Sequence, residues 1–232
     1  TIGSVQTAVG GLAPLDFSEI HRHVPELVQD HLTIEAVSFE PPIDSSNISV
    51  KHWVELVRMI HSRYDEFDGF VILHGTDTLA YTASAMSFML EGLHKPVILS
   101  GSQLPFGLPR TDGRENLLSA VEIASAQRID APIVQEVAVY FGSSLYRGNR
   151  THKASAESMQ AIISPNLPPL AEAGVDIQFN DGILFRDPLV RLNIHETMES
   201  CIAWLPLFPG QSAEILKRIL DWNDLKGLVL ST

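Results

Sequence analysis

The stretch Phe70-Val71-Ile72-Leu73-His74-Gly75-Thr76-Asp77-Thr78 decides the reading of the fold. Four large apolar residues after Asp68-Gly69 predict a buried strand, and Leu79, Met86, Met89 and Leu90 recur at helical spacing over 78–91. Between strand and helix stand a histidine, a glycine, two threonines and a carboxylate. In an open parallel sheet such turns line the crevice at the carboxyl ends of the strands, where ligands bind. The free N–H groups and positive dipole end of the helix face the same place.

Outward from this turn the same alternation repeats. Lys95-Pro96 closes the helix, residues 97–100 predict the next strand, and Gly101-Ser102-Gln103-Leu104-Pro105 opens a loop to Asp112-Gly113. A helix follows over about 114–126, with Leu117, Leu118, Val121 and Ile123 inward, then a strand over 137–141 and a polar stretch to Lys153. Upstream, Trp53, Leu56, Val57 and Ile60 predict a helix over about 50–64, alternation predicts a strand over 33–39, and Asp16-Phe17-Ser18 predicts a helix start capped by Ser18. Residues 1–15 read as a mobile loop. The fold class expected is α/β, with a mostly parallel sheet covered by helices.

Pro165, Pro168 and Pro169 mark a change of regime, because prolines so close fit neither a helix interior nor a central strand. The expected organisation is a larger N-terminal domain over 1–165, a linker with short strands over 166–197, and the start of a smaller C-terminal α/β domain over 198–232. That last domain is expected to be cut short.

Sixteen basic against twenty-eight acidic residues give a formal charge of −12, which argues against nucleic acid or an anionic membrane as partner. Cys201 is the only cysteine, so a disulfide framework and a multi-cysteine zinc site are excluded. A reducing compartment fits this usage. No run of about 18 apolar residues predicts a membrane-spanning helix. GxSxG, Walker, GxGxxG and HExxH patterns are all missing, which removes the commonest serine-triad, nucleotide and zinc readings. Taken alone, Thr76-Asp77 before a helix also fits a cap, worth about 1 kcal/mol. Lys153 alone reads as solvated, and Asp44-Ser45-Ser46 as a turn.

Together the fragments say more. Thr1-Ile2-Gly3, Asp44-Ser45-Ser46, His74-Gly75-Thr76-Asp77-Thr78, Gly101-Ser102-Gln103-Leu104-Pro105 and Arg147-Gly148-Asn149-Arg150-Thr151-His152-Lys153, in this order, closely resemble bacterial L-asparaginases of the cytoplasmic type I class. The resemblance implies hydrolysis of L-asparagine to L-aspartate and ammonia, with no metal or other cofactor, by a cytoplasmic homo-oligomer, a dimer or tetramer. It makes Thr1 the nucleophile that forms an acyl-enzyme. It places Thr76, Asp77 and Lys153 in a second cluster that activates a nucleophile or water and assists proton transfer. Ser45 matches the residue that binds the α-carboxylate, with Ser46 beside it, and Asp77 the residue that pairs with the α-ammonium; Thr76 and Ser102 join this substrate-binding set.

Two departures accompany the resemblance. The family's two glycines before Thr-Ile are not in this chain, and no tyrosine occurs before Tyr64, so no lid tyrosine is assigned. Three other readings stay open here. Thr1 as a processed N-terminal nucleophile would use its own α-amine as base. The chain also fits an amidase subunit of a tRNA-dependent amidotransferase, or an asparagine-binding protein without turnover.

Overall fold

The structure, a computed structural model, describes residues 4–6, 12–14, 24–129, 131–186, 188 and 191–231. The chain divides into two compact units, Thr1–His195 and Glu196–Thr232. In the first, a short hairpin pairs Ser4–Gln6 with Leu12–Pro14. The helix start expected at 16–18 falls outside the described residues. No strand forms over 33–39, where Ile34 and Val37 are exposed.

Helix α1 spans Val50–Ser62 and begins at a capping box, in which His52 Nδ1 accepts from the Ser49 amide at 3.0 Å. Histidine here does the work more often given to Glu or Gln. Strand β1 (Phe70–Leu73), helix α2 (Leu79–Met89), strand β2 (Val97–Ser100), helix α3 (Gly113–Ser125) and strand β3 (Val137–Phe141) then alternate. Strands β1, β2 and β3 are parallel neighbours. Strands β4 (Ser144–Arg147), β5 (Ala171–Ala173) and β6 (Ile177–Phe179) complete a six-stranded sheet ordered β6-β5-β4-β3-β2-β1, and their pairings are antiparallel. The sheet is therefore mixed, with a parallel core.

The β3–β4 hairpin turns at Gly142-Ser143, and Gly142 has φ +66°, as the first position of a two-residue hairpin turn favours. The stretch 142–153, polar in sequence, contains the strand β4. The segment 166–197, expected as a linker with short strands, contributes β5 and β6 to the sheet. Leu170 and Ala171 are buried there.

Side chains alternate between the two faces of the sheet. Val97, Leu99, Val137, Val139 and Phe141 pack against α1 and α2, whereas Ile98, Ala138 and Tyr140 pack against α3. The crossovers β1-α2-β2 and β2-α3-β3 thus step the same way across the sheet but over opposite faces. They must have opposite hands, and one is left-handed, although right-handed crossovers prevail in about 98% of cases. The consequence is local. The connections after β1 and β2 leave by opposite faces, which opens a crevice at the carboxyl edge just as a reversal of strand order does.

In the second unit, strand β7 (Ile202–Pro206) pairs in parallel with β8 (Gly227–Ser231) through helix α4 (Ala213–Leu220), which Ser212 caps by accepting from the Glu214 amide. This is one βαβ unit, and Leu205 is its only buried apolar residue among those described.

Candidate active site

Three of the expected residues meet at the end of β1. Lys153, paired with Ile162 in a short hairpin, reaches the turn after β1. Its Nζ lies 2.9 Å from Thr76 Oγ1 and 2.6 Å from Asp77 Oδ1. Thr76 is buried, the Lys153 side chain is 18% exposed and the Asp77 side chain 65% exposed. A carboxylate open to this degree, with one oxygen on lysine, keeps its other oxygen for a ligand.

Capping does not account for the turn. The helix N-cap is Thr78, which makes no side-chain cap and instead donates its hydroxyl to the Ser45 carbonyl at 2.7 Å. That bond docks the 44–47 turn on the 74–78 turn. A Cβ on Gly75 would stand 2.4 Å from Ser45 Oγ and 2.8 Å from Ser45 Cβ, so glycine is needed there for space. Asp44 accepts from the Ser46 amide at 3.0 Å and the Ser46 hydroxyl at 2.8 Å, and these bonds hold its carboxyl below the usual range. Of the two serines, Ser45 is buried against the turn and Ser46 is exposed.

His74 stiffens the turn from beneath. Trp53 Nε1 donates to Thr82 Oγ1 at 2.9 Å, and because the Gly75 carbonyl beside His74 Nδ1 can only accept, neutral His74 leaves Nε2 to accept from the Thr82 hydroxyl, also at 2.9 Å. His74 Nδ1, 2.8 Å from the Gly75 carbonyl, then carries the proton. The network assigns one neutral tautomer. Burial pushes the imidazole below its ordinary value, and the Gly75 carbonyl opposes this more weakly.

Ser102, expected in the substrate-binding set, uses its hydroxyl within its own loop. It is fully buried, and its hydroxyl donates to the Leu104 carbonyl at 2.7 Å, so it shapes its own loop. The residue of that loop which does reach the cluster is Gln103, whose Oε1 lies 3.2 Å from Thr76 Oγ1. The sequence motif containing Gln103 assigns it no role, because nothing local tells that its amide crosses to the end of β1. Thr1, the expected nucleophile, lies outside the described residues.

Two hollows elsewhere, one beside the Glu136–Arg147 ion pair and one near Leu27, include none of Thr76, Asp77 and Lys153 in their walls. Chemistry rather than depth marks the site. Among the described residues no group of three or more His, Cys, Asp or Glu could hold a metal ion, and no helix is long and apolar enough to cross a membrane.

Known proteins resemble this chain over most of its length. L-asparaginase 1 of Escherichia coli (strain K12) is 44% identical over 192 residues, covering 83% of this chain and 55% of that protein. An L-asparaginase of Dirofilaria immitis is 43% identical over 197 residues, covering 84% of this chain and 32% of that protein. The crystal structure of L-asparaginase I from Vibrio cholerae matches with a TM-score of 0.87 at 35% identity, over 100% of this chain and 69% of that one. The chain spans 32% and 55% of the length of those two curated relatives. A family model described as asparaginase, N-terminal, matches residues 1–184 and so takes in the whole cluster; the chain belongs to the asparaginase family.

Proposed function

We propose that the protein hydrolyses the side-chain amide of L-asparagine to L-aspartate and ammonia. The observation that carries this reading is the Lys153 ammonium within 2.9 Å of Thr76 Oγ1 and 2.6 Å of Asp77 Oδ1. A threonine hydroxyl is a weak nucleophile or relay unless a neighbouring group moves its proton. Lysine beside it, anchored by a carboxylate, supplies that group or the charge that steers it.

Asparagine carries an ammonium and a carboxylate as well as the amide. The open oxygen of Asp77 takes the α-ammonium, and Ser45 together with the first amides of α2 takes the α-carboxylate. In this reading the Thr1 hydroxyl oxygen attacks the amide carbon, the C–N bond breaks, and the hydroxyl proton leaves with ammonia. Water then attacks the resulting ester at the Thr76–Lys153 pair. The ester C–O bond breaks, one proton returns to Thr1, and aspartate is released, so the net change is addition of one water. Backbone N–H groups at the 76–78 turn stabilise the oxyanion. A reading with Thr1 alone and its own α-amine as base leaves the lysine–threonine–carboxylate contact without a use.

The same resemblance supports a cytoplasmic homo-oligomer, a dimer or tetramer, which light scattering on the purified protein tests. For the activity, the experiment is ammonia release from L-asparagine beside succinamate, which lacks the α-ammonium. Steady release from asparagine and at least about tenfold less from succinamate is expected, since loss of one charge-assisted contact is worth about that factor. Binding of asparagine without ammonia overturns the hydrolytic reading.

A further inference from the structure

Gln103 is tied at every polar atom of its side chain. Its Nε2 donates to the carbonyls of Ala156 and Ser158, both at 3.0 Å, which uses both N–H groups. Its Oε1 therefore faces Thr76, and since a carbonyl oxygen cannot donate, the Thr76 hydroxyl does. A flipped amide would set an oxygen against two carbonyls and lose two bonds. The backbone is held as firmly: the Gln103 amide donates to both oxygens of Asp112 at 3.1 and 3.0 Å. Asp112 also accepts from the Leu104 amide at 3.0 Å and from Asn116 Nδ2 at 3.2 Å.

The carbonyls that Gln103 holds belong to the hairpin that carries Lys153. In it Lys153 faces Ile162, the Ala154 amide donates to the Ala161 carbonyl at 2.8 Å, and the amides of Glu157 and Ser158 donate to Ser155 Oγ. One side chain thus touches both the Thr76 hydroxyl and the tip of the lysine hairpin.

We propose that Gln103 is a positioning residue that points the Thr76 proton away from Lys153 and clamps the Lys153 hairpin at its working distance from Thr76. This rests on the reading that Thr76 and Lys153 move a proton during asparagine hydrolysis. With its proton on Gln103, Thr76 presents lone pairs to Lys153 and to an incoming water. Without that acceptor the Thr76 hydroxyl can turn its proton toward the water or toward Nζ, and its oxygen is no longer held where it receives the Lys153 N–H, so the contact at position 103 fixes the geometry in which water attacks.

Two substitutions separate the parts. Gln103→Leu removes both contacts, and Gln103→Glu keeps an acceptor for Thr76 while losing the donors to Ala156 and Ser158. With L-asparagine, Gln103→Leu is expected to lower kcat about tenfold with KM within about threefold, the size of a lost hydrogen bond acting in the chemical step. Gln103→Glu adds a carboxylate beside Thr76 and Lys153 and should move the acid limb of the kcat–pH profile upward. A structural role alone would not move that limb. A folded Gln103→Leu protein with kcat within about twofold of wild type overturns the proposal, as does an unmoved limb in Gln103→Glu. Should Gln103→Leu not fold, Gln103→Asn, too short to span the same partners, takes its place with the same expectation. Wild type is assayed alongside, and if it releases no ammonia the hydrolytic reading itself fails. Amide hydrogen exchange over 154–160 then judges the clamp alone: exchange about tenfold faster in Gln103→Leu supports it, and unchanged exchange overturns it.

Discussion

Asp77 and Asp112 stand at the starts of successive helices, each after one of two neighbouring parallel strands, and they spend their oxygens differently. Asp112 gives its oxygens to the backbone amides of Gln103 and Leu104 and to Asn116, all within its own loop and helix. Asp77 gives one oxygen to a lysine from 76 residues away and stays mostly exposed. A carboxylate whose partners are local amides holds a loop in shape. One whose partner is a distant cation, and which remains open, is free to take a ligand.

The comparison is tested hardest at the distant cation. Lys153→Met is expected to lower kcat for asparagine about a thousandfold, within the range of proton-transfer catalysis, while the unfolding midpoint stays close to wild type because an exposed ion pair contributes only about 0–1 kcal/mol. Next come the two carboxylates themselves. Asp77→Asn should reduce kcat/KM about a hundredfold with little change in urea unfolding. Asp112→Asn should show the reverse emphasis and cost about 1–3 kcal/mol of stability, the range for charge-assisted bonds to partly buried amides. Equal destabilisation by both would erase the distinction. Gly75→Ala follows, since a Cβ 2.4 Å from Ser45 Oγ must displace the 44–47 turn, to which the proposed reaction assigns the α-carboxylate. KM for asparagine should rise about tenfold with kcat less affected, again the size of one charge-assisted contact.

The smallest effect is on pH. His74 has its folded value lowered by burial, so above about pH 6.5, the ordinary imidazole value, it is neutral in both folded and unfolded chains and its contribution is complete. As pH falls the unfolded chain binds the proton first, and stability is lost until the folded histidine also protonates. Protonation there also ends acceptance from Thr82. Unfolding free energies measured between pH 7.5 and 5 should therefore fall less steeply in His74→Gln than in wild type, and an identical slope would contradict the buried neutral tautomer.

How much of this could be read from residues alone follows from where each signal is local. The strand and helix of 70–89 were legible because an apolar run, a polar turn and a helical period all lie within one stretch. The segment 33–39 alternates just as clearly and forms no strand, because alternation reports a possible face and not a partner to pair with. Its Glu35 instead meets Arg63, whose guanidinium joins Glu35 and Glu66. Strand β4 went unread because Ser144, Tyr146 and Arg147 are polar or amphipathic around one buried leucine. The meeting of Lys153 with Thr76 spans 77 residues and that of Gln103 with Thr76 spans 27, distances over which no spacing rule operates. The first was expected only through the family resemblance, and the second not at all. Ser102, from the same motif, is buried with its hydroxyl on the Leu104 carbonyl, and residue type alone does not tell which of two neighbouring polar side chains turns inward.

The most direct test of the cluster as the binding and reacting centre is a crystal structure of the intact protein with the product L-aspartate. The α-ammonium is expected within about 3 Å of an Asp77 carboxylate oxygen, the α-carboxylate at Ser45 and the first turn of α2, and the side-chain carboxylate beside Thr76 and Lys153. Aspartate bound away from Ser45, Thr76 and Asp77, or reversed so that its α-ammonium faces Lys153, would contradict it.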